Sequence, residues 1–421
     1  MQLAEKLRIL SGAARYDVSC AASGAIRRDS SGKARQMPGV CHSWSADGRC
    51  ISLLKVLLTN HCVYDCRYCL NRRSNETPRA AFTPEELASL ASEFYRRNYV
   101  EGLFLSSGVV KSPDHTLELM LRAVRLLRGQ WRFRGYIHLK LIPGVSGGLV
   151  DEAVRLADRI SVNTEFASPQ SLALMAPDKD WAQILSPMDR AARRIEEFSR
   201  RRKEQSLMPS GFTATGQSTQ LIVGATPDDD RQVLTLASEL YRGRGLKRVY
   251  YSAYVPVNTD APQAAPPLLR EHRLYQADWL LRQYGFTTDE ILSSGMLDLE
   301  LDPKCAWALR HPDCFPVDAA SAPYEELLRI PGIGLRSAAR IVQARRHKTL
   351  AAGDLELLGV TLKRARFFVT VAGKALAPEI RDMSALRRFL LPKRLRTECQ
   401  LTFLEPQNHF EEQITTLTGE L

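Results

Sequence analysis

Three cysteines fall within eight positions, Cys62, Cys66 and Cys69 in the stretch "TNHCVYDCRYCLNRR". Thiolates this close together are metal ligands in prospect, so the question is which metal. Structural zinc normally takes four ligands, commonly as two C-x2-C pairs. Here the local set stops at three, because His61 adjoins Cys62 and is poorly placed to join the same cage. Three thiolates on a short loop can instead hold three corners of a four-iron cluster and leave the fourth iron open. An open iron is useful only where something else coordinates it. The competing reading is zinc completed by a distant residue.

The remaining cysteines are scattered. Cys20, Cys41 and Cys50 precede the triad, and Cys305, Cys314 and Cys399 follow it. A second iron–sulfur cluster could draw on Cys20, Cys41 and Cys50, with His42, Cys305 or Cys314 as a fourth ligand. The alternative is that these are small buried residues, as free cysteines often are.

The elements that must position these groups read as a parallel α/β series. "CISLLKVLLT" is a mostly apolar run of the kind that forms a strand buried on both faces. After it come the strands "EGLFLSS", "GYIHLKLI", "DRISVNTEF", "STQLIVG" and "KRVYYSAYVPV", each separated from the next by an amphipathic helical stretch. The first helix, "TPEELASLASEFYRRN", starts with Thr83 as N-cap and Pro84 at its first position. The second, "DHTLELMLRAVRLLR", has Asp114 as its expected cap. Six β/α units imply an open or closed parallel barrel. The first strand lacks a following G-x-G-x-x-G turn, which argues against a dinucleotide fold.

The spacing C-x3-C-x-aromatic-C after the first barrel strand, with Tyr68 as the aromatic, resembles the hallmark of the radical SAM superfamily. The resemblance implies a partial (β/α)6 barrel and a [4Fe-4S] cluster held by Cys62, Cys66 and Cys69. It also implies that S-adenosylmethionine is chelated at the open iron. An electron from the cluster then cleaves the cofactor to a 5′-deoxyadenosyl radical, which takes hydrogen from a substrate. Reduction calls for an electron donor such as flavodoxin or ferredoxin. The superfamily's G-G-E-like segment corresponds here to "LFLSSG", so Ser106, Ser107 and Gly108 stand in that place without its glutamate. Cofactor contacts are expected from Tyr68, from Asn163 and Glu165 on one face of the fourth strand, and from Gly224 in "LIVGAT", where adenine would approach. His138 and Lys140 share one face of the third strand, and Lys140 could meet a carboxylate.

Charge separates the ends of the chain. Of the net +11 over 421 residues, Ala322 to Gln400 carries +9, from 16 Lys+Arg and 7 Asp+Glu. That module contains "EELLRIPGIGLRSAARIVQARR", which resembles a helix-hairpin-helix motif. Its glycine turn can offer N–H groups to phosphate at a helix N-terminus. The resemblance carries to Gly332, Ile333 and Gly334 for amide contacts, with Arg336, Ser337 and Arg340 beside them. "DLELLGVTLKRARFFV" looks like a degenerate second copy, with Gly359 retained and Lys363, Arg364 and Arg366 supplying charge.

The expected order is an N-terminal cysteine-containing extension (1–49), the barrel (50–257), a linker and helical extension (258–320), an all-α tandem hairpin module (321–375) and a basic tail (376–421). Barrel and hairpins together resemble the DNA modification/repair radical SAM proteins. The implied partner is nucleic acid, duplex DNA foremost, with no membrane and a cytoplasmic location. Two rivals are an RNA-modifying (tRNA) radical SAM enzyme and a DNA-binding protein with a structural cluster. The triad lies about 260 residues before the hairpins, which counts against the second.

Overall fold

The computed structural model describes residues 1–16, 39–44, 50–205, 214–378 and 382–391. Its described residues divide into two compact units, the first comprising those of Met1–Asp228 and Glu239–Leu268, the second Asp229–Ser238 and those from Leu269 to Leu391.

The first unit is built on one seven-stranded sheet with strands in chain order: β1 (Val40–Trp44), β2 (Cys50–Leu57), β3 (Gly102–Ser106), β4 (Tyr136–Lys140), β5 (Arg159–Ser161), β6 (Gln217–Val223) and β7 (Arg248–Ala253). From β2 to β7 every neighbour is parallel, as the six β/α units require. β3 is buried along its whole length, which is why it reads as a continuous apolar run. β1 was not anticipated. It adds antiparallel to β2, with Trp44 opposite Cys50 and Cys41 opposite Leu53. The order is linear and ends at β7, so the sheet forms a partial barrel. The helix Leu3–Ala13 packs beside β2.

Local chemistry sets the helix starts. Thr83 caps the helix Pro84–Arg96, accepting the Glu86 N–H, while the Glu86 carboxylate accepts the Thr83 N–H at 2.9 Å. The Thr83 cap and Pro84 were expected from the sequence, and the Glu86 contact completes a capping box. The next helix, Pro113–Arg128, is capped by Ser112, not Asp114. Pro113 supplies the first helical φ, repeating the Thr83–Pro84 arrangement. The Asp114 carboxylate instead accepts the Ser146 N–H at 2.7 Å.

The second unit contains the helices Pro303–Arg310 and Met383–Leu390 and two short helix pairs, Tyr324–Arg329 with Leu335–Ala344 and Ala352–Leu357 with Leu362–Ala365. It is not all-α as expected. A small sheet orders β8 (Val317–Asp318), β9 (Val369–Val371) and β10 (Lys374–Ala375) with β9 at its centre. The Asp318 carboxylate holds it together, accepting N–H groups from Ala320, Ala372 and Gly373. The expected tail 376–421 lies mostly outside the described residues, although Met383–Leu390 within it is helical. Among the described residues, no helix is long and apolar enough to cross a membrane.

Candidate active site

The C-terminal ends of the parallel strands surround a cavity with about 1230 Å3 of empty space, part of it open solvent. Loops at these strand ends are where parallel α/β sheets place ligands. Cys62, Cys66 and Cys69, from the loop after β2, all line this cavity. Arg79 holds that loop from within, donating to the carbonyl oxygens of Asn60, Asn71, Arg72 and Asn75 at 2.5–2.8 Å.

Burial raises the Cys66 thiol and pushes Cys69 up to about 12, so without a counter-charge both stay protonated. Iron would supply that charge. The Val109 N–H points at Cys62 Sγ from 3.4 Å, a donor suited to a metal-bound thiolate. Among the described residues no three His, Cys, Asp or Glu side chains converge as ligands of a single ion would. The three thiols line one cavity, and three thiolates are the donor set that a four-iron cluster with one open iron takes.

Ser106, Ser107 and Gly108 follow β3 and line the same cavity. The Ser107 hydroxyl donates to the Gly108 carbonyl at 2.7 Å, leaving its oxygen as an acceptor. Gly108 is required by proximity, since a Cβ there would stand 2.3 Å from the His61 carbonyl oxygen. This contact seats the β3 segment directly on the cysteine loop.

Asn163 and Glu165 also reach the cavity, but not as alternate residues of a strand. β5 ends at Ser161, and Glu165 takes a left-handed φ of 65° while bridging to Leu221. A non-glycine residue held there is strained, which is common at functional sites. Asn163 Nδ2 donates to Glu165 Oε2 at 3.3 Å. Lys179 Nζ donates to Glu165 Oε1 and to the Tyr68 hydroxyl, both at 2.8 Å. Burial alone would raise the Glu165 carboxyl and lower the Lys179 amine. Their mutual attraction outweighs it, so the carboxyl lies below and the amine above its ordinary value. Tyr68 also packs edge-on against Phe166, with ring centroids 5.4 Å apart. Lys140 lines the cavity too, while His138 lies below it, bonded to the Ser161 hydroxyl at 2.9 Å and kept neutral by burial.

Gly224 does not belong to this wall. It has φ 87°, and a Cβ there would collide with Pro266 at 2.4 Å. Sequence reasoning missed two cavity groups. Lys179 carries no motif, standing in a loop fourteen residues after Glu165. Tyr254, just beyond β7, is only 2% exposed, and among the described residues its hydroxyl has no hydrogen-bond partner although it lines the cavity.

Cys41 and Cys50 stand three register positions apart on β1 and β2, so their side chains point to opposite faces of the sheet. Cys41 packs against Ile51, Leu53 and Phe104. In the second unit Cys305 is buried and Cys314 exposed. Cys20 and Cys399 lie outside the described residues.

In the second unit the two helix pairs meet at their glycines. The Gly332 carbonyl accepts the Thr361 N–H at 2.9 Å, and the Gly359 carbonyl accepts the Ser337 hydroxyl at 2.8 Å. Both glycines have positive φ, 86° and 88°. Arg336, Arg340 and Lys363 are exposed. Two of the expected contacts, Ser337 and Ile333, are engaged within the protein instead. Ser337 is buried and committed to Gly359. Ile333 is buried, its N–H given to Ile330 and its carbonyl to Lys304 Nζ at 2.6 Å. Arg364 is exposed but pairs with Asp302 at 3.0 Å. Gly334, at φ −99°, is the N-cap of the helix Leu335–Ala344.

Residues 56–200 match the model of the family described as "Radical SAM superfamily". Among solved structures, the chain is similar to the FeFe-hydrogenase maturase HydG from Carboxydothermus hydrogenoformans, at 16% identity and TM-score 0.42, over 53% of this chain and 50% of that one. It is also similar to methylornithine synthase (PylB), at 12% identity and TM-score 0.39, over 72% and 84% of the two chains. The chain therefore spans about half the length of the HydG it matches. No curated protein matches it. The chain carries a radical SAM domain, and this family works with a [4Fe-4S] cluster and S-adenosylmethionine.

Proposed function

We propose that the chain is a radical SAM enzyme that modifies or repairs a nucleic acid, duplex DNA foremost. Cys62, Cys66 and Cys69 hold the cluster. The Ser107 oxygen, Asn163 and the Glu165–Lys179 pair offer the polar groups that a zwitterionic methionine end needs, and Tyr254 offers a hydroxyl to the adenosyl end. When bound, cluster and cofactor together supply a 5′-deoxyadenosyl radical. The protein's part is to hold the cofactor, keep water away with the apolar Leu141, Ile142 and Val255 walls, and fix the geometry of hydrogen transfer. The single observation that carries the reading is that the triad, Ser106–Gly108, Asn163 and Glu165 share one cavity.

The nucleic-acid target rests on the second unit. Gly334 is the N-cap of a ten-residue helix that carries exposed Arg336 and Arg340, in a region with a +9 surplus. Such a surface suits backbone phosphates and reads no sequence. The test is anaerobic reconstitution with SAM and reductant, comparing 5′-deoxyadenosine release with duplex DNA, single-stranded DNA and tRNA. Stimulation by duplex DNA, absent from the Cys62→Ala/Cys66→Ala/Cys69→Ala protein, is expected. Cleavage that persists in that triple variant rejects the cluster assignment. Cleavage indifferent to every nucleic acid rejects the target.

A further inference from the structure

The sheet leaves an opening between its first and last parallel strands. β2 runs into the cysteine loop, β7 runs into Asn258, and no ladder joins the two strands. Side chains do so instead. Asn258 is 8% exposed, and its Nδ2 donates to the carbonyl oxygens of Arg67 at 2.7 Å and Cys69 at 3.1 Å. Its Oδ1 accepts from Asn75 Nδ2 at 2.7 Å, and Asn75 also donates to the Leu70 carbonyl at 2.9 Å. Two residues on, Asp260 pairs with Arg72 at 2.7 Å. Asn258 is itself held in place, because Gln263 Nε2 donates to its carbonyl at 3.0 Å.

The atoms gripped matter. Arg67 and Cys69 lie within the tight turn that the Cys69 N–H closes onto the Cys66 carbonyl at 3.0 Å. One buried carboxamide therefore puts its Nδ2 on the turn that carries two of the three thiols and its Oδ1 on Asn75, farther along the same loop. A carboxylate of the same shape could not do this, since both Arg67 and Cys69 present acceptors.

We propose that Asn258 is a positioning residue of the iron-binding loop, closing the open side of the barrel onto the Cys66–Cys69 turn so that the thiols are preorganised for the cluster. The proposal rests on the reading that Cys62, Cys66 and Cys69 hold that cluster. Ligand preorganisation of this kind acts through groups that never touch the metal.

The test compares reconstituted wild type with Asn258→Ala, Asn258→Asp and Asn75→Ala. Three quantities are read: the rate of iron loss to a chelator, the EPR line shape of the reduced cluster with and without SAM, and the melting temperature of the iron-free protein. Asn258→Ala, which deletes all three side-chain hydrogen bonds, should lose iron about tenfold faster or more, given about 1 kcal/mol for a hydrogen bond of ordinary strength. Asn258→Asp should be worse, and Asn75→Ala intermediate. Melting of the iron-free protein should stay close to wild type, and the SAM-dependent change in line shape should broaden or shift. Wild-type iron retention and line shape in the variants would overturn the proposal. So would a lowered iron-free melting temperature that fully accounts for the faster loss, since that marks a merely structural residue. Should Asn258→Ala not fold, Asn75→Ala, which removes only one contact to Asn258, carries the same comparison. Failure of the wild type itself to take up four irons is a different result, and it rejects the cluster reading instead.

Discussion

Lys179 Nζ stands 2.8 Å from Glu165 Oε1, with side chains only 12% and 7% exposed, on the wall of the cavity that the three cysteines share. Neither charge is accompanied by enough water to stand alone. Removing one partner leaves the other buried and uncompensated, which typically costs about 3–5 kcal/mol. Glu165→Gln should therefore lower the melting temperature of the iron-free protein markedly. Lys179→Met in the same chain should recover much of the loss, because the orphan charge is gone. A double variant no more stable than Glu165→Gln alone would show that the pair is not coupled as its geometry indicates.

Tyr254 poses the opposite situation, a buried hydroxyl with nothing to bond. Left so, it costs free energy, which a ligand in the cavity can return. Tyr254→Phe should leave the fold intact, or slightly more stable, and weaken SAM binding to the cluster-loaded protein about five- to tenfold. Since the expected contact is to the adenosyl end, binding of 5′-deoxyadenosine should weaken by a similar factor, and methionine binding should not change. Equal affinities in wild type and variant would place the hydroxyl away from the cofactor.

Much of this site was legible before any coordinates, and the reasons it was legible are physical. Thiolate spacing is a short-range property, so Cys62, Cys66 and Cys69 announce their chemistry within one loop. Parallel strands buried on both faces leave apolar runs, and the Thr83 cap with Pro84 is local as well. What escaped is what depends on distant packing. Lys179 and Tyr254 gain meaning only when separate strand ends meet. The left-handed φ of Glu165 is imposed by its bridge to Leu221, and no residue type signals it. That Gly224 packs against Pro266, forty-two residues later, has no local signal either. Ser337 looked like a phosphate ligand because its true partner is the carbonyl of the second helix pair.

Lys304 predicts a pH dependence. Burial pushes its amine down to about 7, with Asp302 and Cys305 only partly opposing, against an ordinary value of 10.5. Between pH 7 and 10.5 the unfolded chain therefore holds a proton that the folded chain does not. Stability rises with pH wherever the unfolded state binds more protons, so this contribution grows from pH 7 towards 10.5 and is absent below pH 7. Its upper limit is of the order of a few kcal/mol. Melting of the iron-free protein followed from pH 7 to 9 should show a more positive slope in wild type than in Lys304→Met. Parallel slopes would mean that the amine is protonated in the folded state throughout.

The two turn glycines of the first helix pair should separate folding from binding. Gly332 has φ 86°, and a Cβ on it would lie 2.6 Å from the Thr361 carbonyl oxygen, so Gly332→Ala should disrupt the contact between the helix pairs and destabilise the second unit. Gly334 has φ −99°, and its nearest neighbour is the Tyr284 hydroxyl at 3.5 Å, so Gly334→Ala should fold normally. Its added methyl would still stand where a phosphate must approach the Gly334 N–H. Duplex DNA affinity in Gly334→Ala should fall several-fold, alike for all sequences. For wild type, log affinity should decline against log salt by about 0.9 per phosphate neutralised. Arg336→Ala should reduce that slope by roughly one unit, having removed one exposed cation from the same helix N-terminus. If Gly334→Ala and Arg336→Ala both bind duplex DNA as wild type does at every salt concentration, the glycine turn faces something other than phosphate. The nucleic-acid target then loses its support, while the reading of the cavity, which rests on the first unit alone, is untouched.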